Sequence, residues 1–113
     1  MSIKRGEIWL ANLDPTIGGE IQKTRPVVIV SNNSNNNSNS VVTVVPITSN
    51  ATRVFSFEVF LSKGTAGLPK DSKARTDQIR TLDKSRLVKL YGQLSASLMN
   101  DLDKALKLHL DLF

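Results

Sequence analysis

Cysteine is absent from the 113 residues of this chain. That excludes disulfide bridges, thiolate nucleophiles and cysteine-ligated zinc, and it fits a reducing compartment. Histidine is nearly absent as well: His109, close to the C-terminus, is the only one. No conventional catalytic set is left. Apolar runs stay far short of the ~20 residues that span a bilayer. The N-terminal stretch Met1-Ser2-Ile3-Lys4-Arg5-Gly6-Glu7 has no apolar core of the signal-peptide kind. Acidic residues are in deficit, with 10 Asp and Glu against 15 Lys and Arg and a formal net charge of +5. A basic chain attracts polyanions, most commonly nucleic acid, and such binding weakens with salt. Its bland counterpart is a soluble surface that happens to be basic.

The most informative stretch present is Arg25-Pro26-Val27-Val28-Ile29-Val30-Ser31. It sets a permanently charged, planar guanidinium at the mouth of a strongly β-forming run, beside a polar loop, where it suits a phosphate. A chain of this length is expected to form one domain, 1–113, and to bury about two-thirds of its unfolded surface in one core. Glu7–Asn12 alternates as a first strand, with Ile8 and Leu10 on one face. Leu13–Thr24 is a long polar loop opened by Asp14-Pro15 and broken by Gly18-Gly19, of the kind that often serves as a functional lid. Pro26–Ser31 predicts a second strand buried on both faces. Asn32–Ser40, almost pure Asn and Ser, predicts a mobile loop that buries nothing. Val41–Pro46 is a third strand.

Phe55–Leu61 predicts a strand with Phe55, Phe57, Val59 and Leu61 on one face. Ser72–Leu82 predicts one polar strand, Asp83–Arg86 a helical turn and Leu87–Gln93 a last strand. From Ser95 onward, with Ser95 or Ser97 as N-cap, Leu98, Leu102, Ala105 or Leu106 and His109 recur at helical spacing. His109 is expected to pack or lie at the surface. Trp9, Phe55, Phe57 and Phe60 suit core or interface positions. The pattern is mainly β: about five to seven short strands in a small antiparallel barrel with one terminal helix.

Several segments together carry a resemblance. Gly6-Glu7-Ile8-Trp9 opens the chain, and Leu13-Asp14-Pro15-Thr16-Ile17-Gly18-Gly19-Glu20 leads into Arg25-Pro26 and its strand to Ser31. Val44-Val45-Pro46-Ile47-Thr48 follows, then Asp77-Gln78-Ile79-Arg80-Thr81 through Leu87, then Gly92-Gln93-Leu94-Ser95 and the final helix. From about residue 4 onward the chain resembles the MazF/PemK-type toxins of bacterial toxin–antitoxin systems. The resemblance implies an SH3-like β-barrel with a C-terminal helix and one or two short helices. It implies a homodimer in the bacterial cytoplasm that cleaves single-stranded RNA, mostly mRNA, with no metal or cofactor. Cleavage would leave a 2′,3′-cyclic phosphate and a 5′-hydroxyl. It also implies a cognate antitoxin whose acidic, disordered tail covers the RNA groove.

On that resemblance Arg25, Thr48 and Glu20 are the expected catalytic residues. Ser49, Gln78, Ser31, Arg80, Gly18 and Gly19 are the expected RNA contacts. The chemistry is self-consistent, because RNA supplies its own 2′-OH nucleophile. The protein need only align it, move two protons and stabilise the growing charge on phosphorus. Arg25 can grip two non-bridging oxygens at once, and Thr48 can donate to the same phosphate. A guanidinium is a poor base at neutral pH, which makes an electrostatic clamp and proton donor its better role. Glu20 suits either a base or a loop-positioning group. Two rival functions remain: a toxin of the same fold that poisons DNA gyrase, which would not need Arg25 and Thr48 together, and a non-catalytic SH3-like nucleic-acid or peptide module, which leaves the paired strand-end polar groups unexplained.

Overall fold

The structure, a computed structural model, describes residues 2–113. Seven strands form one antiparallel sheet: β1 (Glu7–Asn12), β2 (Thr24–Ile29), β3 (Val41–Thr48), β4 (Glu58–Leu61), β5 (Ser72–Arg75), β6 (Arg80–Asp83) and β7 (Leu87–Gln93). Two helices accompany them, α1 (Asn33–Ser38) and α2 (Ala96–Leu110), with three single turns of 3₁₀ helix. The strand order is β4-β5-β3-β2-β1-β7, and β6 adds to β3. This is the expected mainly-β, barrel-like architecture, although its end strands β4 and β7 do not pair with each other. No helix among the described residues is long and apolar enough to cross a membrane.

The three central strands are buried on both faces, which is why β2 and β3 read as unbroken Val and Ile runs. On one face Ile8, Val28, Val45 and Ile47 pack with Leu61, Ala74 and Leu94 beneath Met99, Leu102 and Ala105 of α2. On the other, Trp9, Ala11, Val27, Ile29, Val42 and Val44 pack with Ile3, Leu13, Leu82 and Leu87. Ser95 caps α2 by accepting from the Leu98 N–H at 3.2 Å. His109 is exposed, its ring 6.1 Å from that of Phe57.

Four expectations need correction. The second strand starts at Thr24 and ends at Ile29; Val30 and Ser31 both donate to the Thr43 carbonyl, so the ladder ends in an irregular turn. The Asn/Ser tract forms α1 instead of a mobile loop. Asn32 caps it by accepting from the Asn35 N–H at 2.8 Å. Asn36, 2% exposed, donates to the Ser31 carbonyl at 2.9 Å and accepts from the Ser31 hydroxyl at 2.5 Å. Polar composition does not forbid burial when each amide finds a partner. Asn36→Ala is therefore expected to cost about 1–3 kcal/mol, read as a lowered urea midpoint, and to release α1 first in hydrogen exchange.

The fourth strand begins only at Glu58. Phe55 and Phe57 stack on each other outside the sheet, centroids 5.7 Å apart, while Val59 and Leu61 enter the core. Finally, Ser72–Leu82 is two strands. β5 pairs with the end of β3 (Ile47↔Ala74) and β6 with its beginning (Val44↔Arg80). Three steps along β3 are matched by six on the partner, and the surplus forms the 3₁₀ turn Thr76–Gln78. Such an interruption re-aims side chains; here it lifts Gln78 out of the ladder.

Candidate active site

β2 carries Arg25 and β3 carries Thr48. Their pairing runs Ile29↔Val44, Val28↔Val45, Val27↔Pro46. By the alternation of a strand, Arg25 lies on the same face as Val27, and Thr48 on the same face as Pro46, its partner. The pairing itself stops at Val27–Pro46: beyond it β2 stays with β1 (Ala11↔Arg25) and β3 turns to β5 (Thr48↔Lys73). The two residues thus belong to the same sheet face at the end where the strands part.

Their polar groups are available. Arg25, half-buried, donates from Nε to the Gln22 carbonyl at 3.1 Å, which orients the guanidinium. Its terminal nitrogens meet no carboxylate or carbonyl among the described residues. Arg5 pairs with Asp103, Arg75 with Asp77, and Arg80 and Arg86 with loop carbonyls. Thr48 Oγ1 accepts from the Asn50 N–H at 3.3 Å, and its own proton is free to donate. A small groove of 200 Å³ beside Arg25 is lined by Ser49, Lys70 and Tyr91 among others.

Residues 4–110 match the family of PemK-like, MazF-like toxins of type II toxin–antitoxin systems. The chain belongs to this family. It is 47% identical to endoribonuclease MazF9 of Mycobacterium tuberculosis over 98% of each protein. A mycobacterial endoribonuclease solved in complex with its cognate antitoxin superposes with a TM-score of 0.82 at 25% identity, over 98% of this chain and 97% of the other. MazF of Deinococcus radiodurans, at 24% identity, shares the fold with a TM-score of 0.86 over 99% of both chains.

In this family member the long loop after β1 is held rather than loose. Glu20, exposed, accepts from the Ile17 N–H at 2.6 Å, so its carboxylate closes the turn that Gly18 makes at φ +58°. Gly18 and Gly19 have open space where a side chain would start. Gln78 spends its whole amide on the loop: Oε1 accepts from the Ile21 N–H at 3.0 Å and Nε2 donates to the Gly19 carbonyl at 3.3 Å. Arg80 Nη1 donates to the Leu13 carbonyl at 3.2 Å, and Arg86 Nη1 to the Asn12 carbonyl at 3.2 Å and to that of Asp14. Ser31 lies at the far end of β2 from Arg25, where its hydroxyl donates to Asn36 and accepts from the Thr43 N–H. Geometry therefore gathers Arg25, Thr48 and Ser49 at one end of the sheet. It joins Gln78 to the glycine loop and leaves Ser31 apart.

A larger cleft of 720 Å³ also lies at the Ser31 end, between Arg5, Asn32, Asn35 and the Asp103–Leu110 part of α2, with Leu112 beyond it. It is remote from Arg25 and carries none of the polar groups just described apart from Ser31. The sequence did not single out Arg75. Its Nε and Nη2 bind Asp77 at 3.1 and 2.7 Å, and Nε stands 3.5 Å from Glu58. The Asp77 hydrogen bonds, outweighing partial burial, push the Arg75 pKa above its ordinary value. The only prior signal was the Arg-Thr-Asp spacing.

Proposed function

We propose that this chain is the endoribonuclease toxin of a toxin–antitoxin module and cleaves single-stranded RNA by attack of a ribose 2′-OH on its own phosphodiester. The observation that supports this reading is that Arg25 and Thr48 share one sheet face at the end where β2 and β3 separate, both with unspent donors. A phosphate between them would receive two guanidinium hydrogen bonds and one hydroxyl hydrogen bond. Three donors directed at the non-bridging oxygens stabilise charge that grows only as the phosphorane forms. In this reading the 2′-OH gives up its proton to solvent water as its oxygen bonds to phosphorus, the P–O5′ bond breaks, and the guanidinium donates a proton to the departing 5′-oxygen and regains one from solvent. The products are a 2′,3′-cyclic phosphate and a 5′-hydroxyl.

The remaining polar groups fall into supporting roles. Glu20 and Gln78 hold the Gly18–Ile21 loop beside the site, which favours positioning over proton abstraction for Glu20. Gly18 and Gly19 keep that loop open to a sugar–phosphate chain, and Ser49 extends the groove. Arg80 braces the loop base. A net charge of +5 suits a polyanion. It suits the acidic tail of an antitoxin equally, and a relative's structure in complex with its antitoxin supports such a partner. Exposed apolar side chains on the edge strand β7 (Val88, Leu90) and at the end of α2 (Leu108, Leu110) support a homodimer. The whole chain, 1–113, would act as one toxin domain in the cytoplasm, where mRNA is found.

The deciding experiment incubates the pure chain with a long single-stranded RNA in EDTA. Discrete fragments with cyclic phosphate ends are the expected result. Intact RNA, or DNA breaks that depend on gyrase, would end this reading. Two further outcomes follow from the geometry. Binding of a non-cleavable 2′-deoxy oligonucleotide is expected to weaken linearly on a log–log salt plot, with a slope of about −0.7 per phosphate contacted. Gln78→Ala is expected to raise KM about threefold to tenfold while leaving the fold intact, because losing two neutral hydrogen bonds at about 1 kcal/mol each frees the loop. Gln78→Glu keeps the acceptor for Ile21 and should fall between.

A further inference from the structure

Thr48 is followed by a segment with no anchor of its own. No side chain from Ser49 to Phe57 is buried, so neither core holds it. At its far end the Thr76 hydroxyl donates to the Phe57 carbonyl and the Glu58 N–H to that of Phe55, and nearer Thr48 its backbone is pinned by two charges. Lys73 Nζ donates to the Arg53 carbonyl at 2.6 Å and to Glu58 Oε1 at 3.0 Å. Glu58 Oε1 in turn accepts from the Phe55 N–H at 2.9 Å. Lys73 is 9% exposed and Glu58 7%. Lys73 sits on β5 directly across from Thr48. One buried ion pair thus ties both a carbonyl and an N–H of the segment to the strand beside the candidate hydroxyl.

Stability alone gives little reason for such a pair. Desolvating two charges offsets most of their attraction, and apolar side chains of similar volume often serve as well or better. Apolar side chains cannot, however, hold a loop carbonyl and a loop N–H at fixed points. We infer that Lys73, together with Glu58, is a positioning residue for RNA cleavage: it fixes residues 49–57, and through them the Thr48 hydroxyl and Ser49, at the separation from Arg25 that a phosphate requires. This rests on the reading of Arg25 and Thr48 given above.

The test uses the full chain, a defined single-stranded RNA and a 2′-deoxy version of it that binds but cannot be cut. Lys73→Met cuts the tether to Arg53, and Lys73→Arg keeps a cation of similar reach. Lys73→Met/Glu58→Gln removes both charges while retaining an acceptor for Phe55, so a folded sample is obtained even where the single variant is unstable. The expected result for the double variant is a cooperative melt and unchanged affinity for the 2′-deoxy ligand. Its kcat should be about tenfold to thirtyfold lower, since displacements near 1 Å in a reacting array are costly. Lys73→Arg should recover kcat to within about threefold of the parent. Two results overturn the inference: a folded double variant that turns over at the parental rate, or a loss of kcat matched by an equal loss of ligand-binding sites. Arg25→Ala in the same assay separates the two ideas. If it remains active, the phosphate clamp itself is wrong. If it is inactive while the double variant is fully active, only the positioning role fails.

Discussion

Arg25→Ala is expected to lower kcat by about 10³-fold, at the upper end of what losing one oxyanion donor costs, and to leave the fold intact. The size follows from the site's economy of donors. Of three hydrogen bonds available to the phosphate, two come from this guanidinium, and the other cation lining the groove, Lys70, lacks its planar fork. The fold survives because Arg25 is half-buried and makes only one internal hydrogen bond, to the Gln22 carbonyl. Circular dichroism and the melting temperature should match the parent while fragments vanish from an EDTA-containing digest. Arg25→Lys restores the charge but not the planar fork, and should recover only part of the rate. Full activity in Arg25→Ala would remove the clamp from the mechanism.

Leu102→Ala acts on stability and spares the chemistry. Leu102 is 1% exposed and sits with Met99 and Ala105 on the face of α2 that covers Ile8, Val28 and Val45. Truncating a fully buried leucine costs about 2–5 kcal/mol, the transfer term plus the cavity left behind. For a chain of this size that lowers the melting temperature by about 8–20 °C. Well below the transition, kcat per folded molecule should be unchanged, because α2 covers the sheet face opposite the one that Arg25 shares with Val27. The contrast with Arg25→Ala is the check: one variant melts early and cuts, the other melts normally and does not. A thermal scan paired with a low-temperature digest reads both.

Strongly patterned segments were legible before any coordinates. β1, β3, β7 and α2 have periodicities that only one kind of element satisfies, and the Arg25-Pro26 junction announced a charged strand end. Weakly patterned segments were not. Asn32–Ser40 has the composition of a loop, yet Asn36 is buried because Ser31 and Asn33 meet both ends of its amide. Phe55 and Phe57 alternate like strand residues but prefer each other to the core. Gln78 was named as an RNA contact. Only the three-residue surplus between β5 and β6 turns its amide onto the Gly18–Ile21 loop.

The amino-acid sequence by itself determined the class of the fold, the family and the side chains able to grip a phosphate. All three follow from residue type and local spacing, which the chain carries wherever it goes. Tertiary structure alone decided which of those side chains stand together and which are already spoken for. Arg25 and Thr48 lie at the same end of the sheet and are left without ladder pairing to each other because β3 leaves β2 to join β5, while Gln78 and Arg80 find partners distant in the chain. Hydrogen-bond satisfaction and strand register are long-range properties, set only when segments many residues apart compete for the same neighbours.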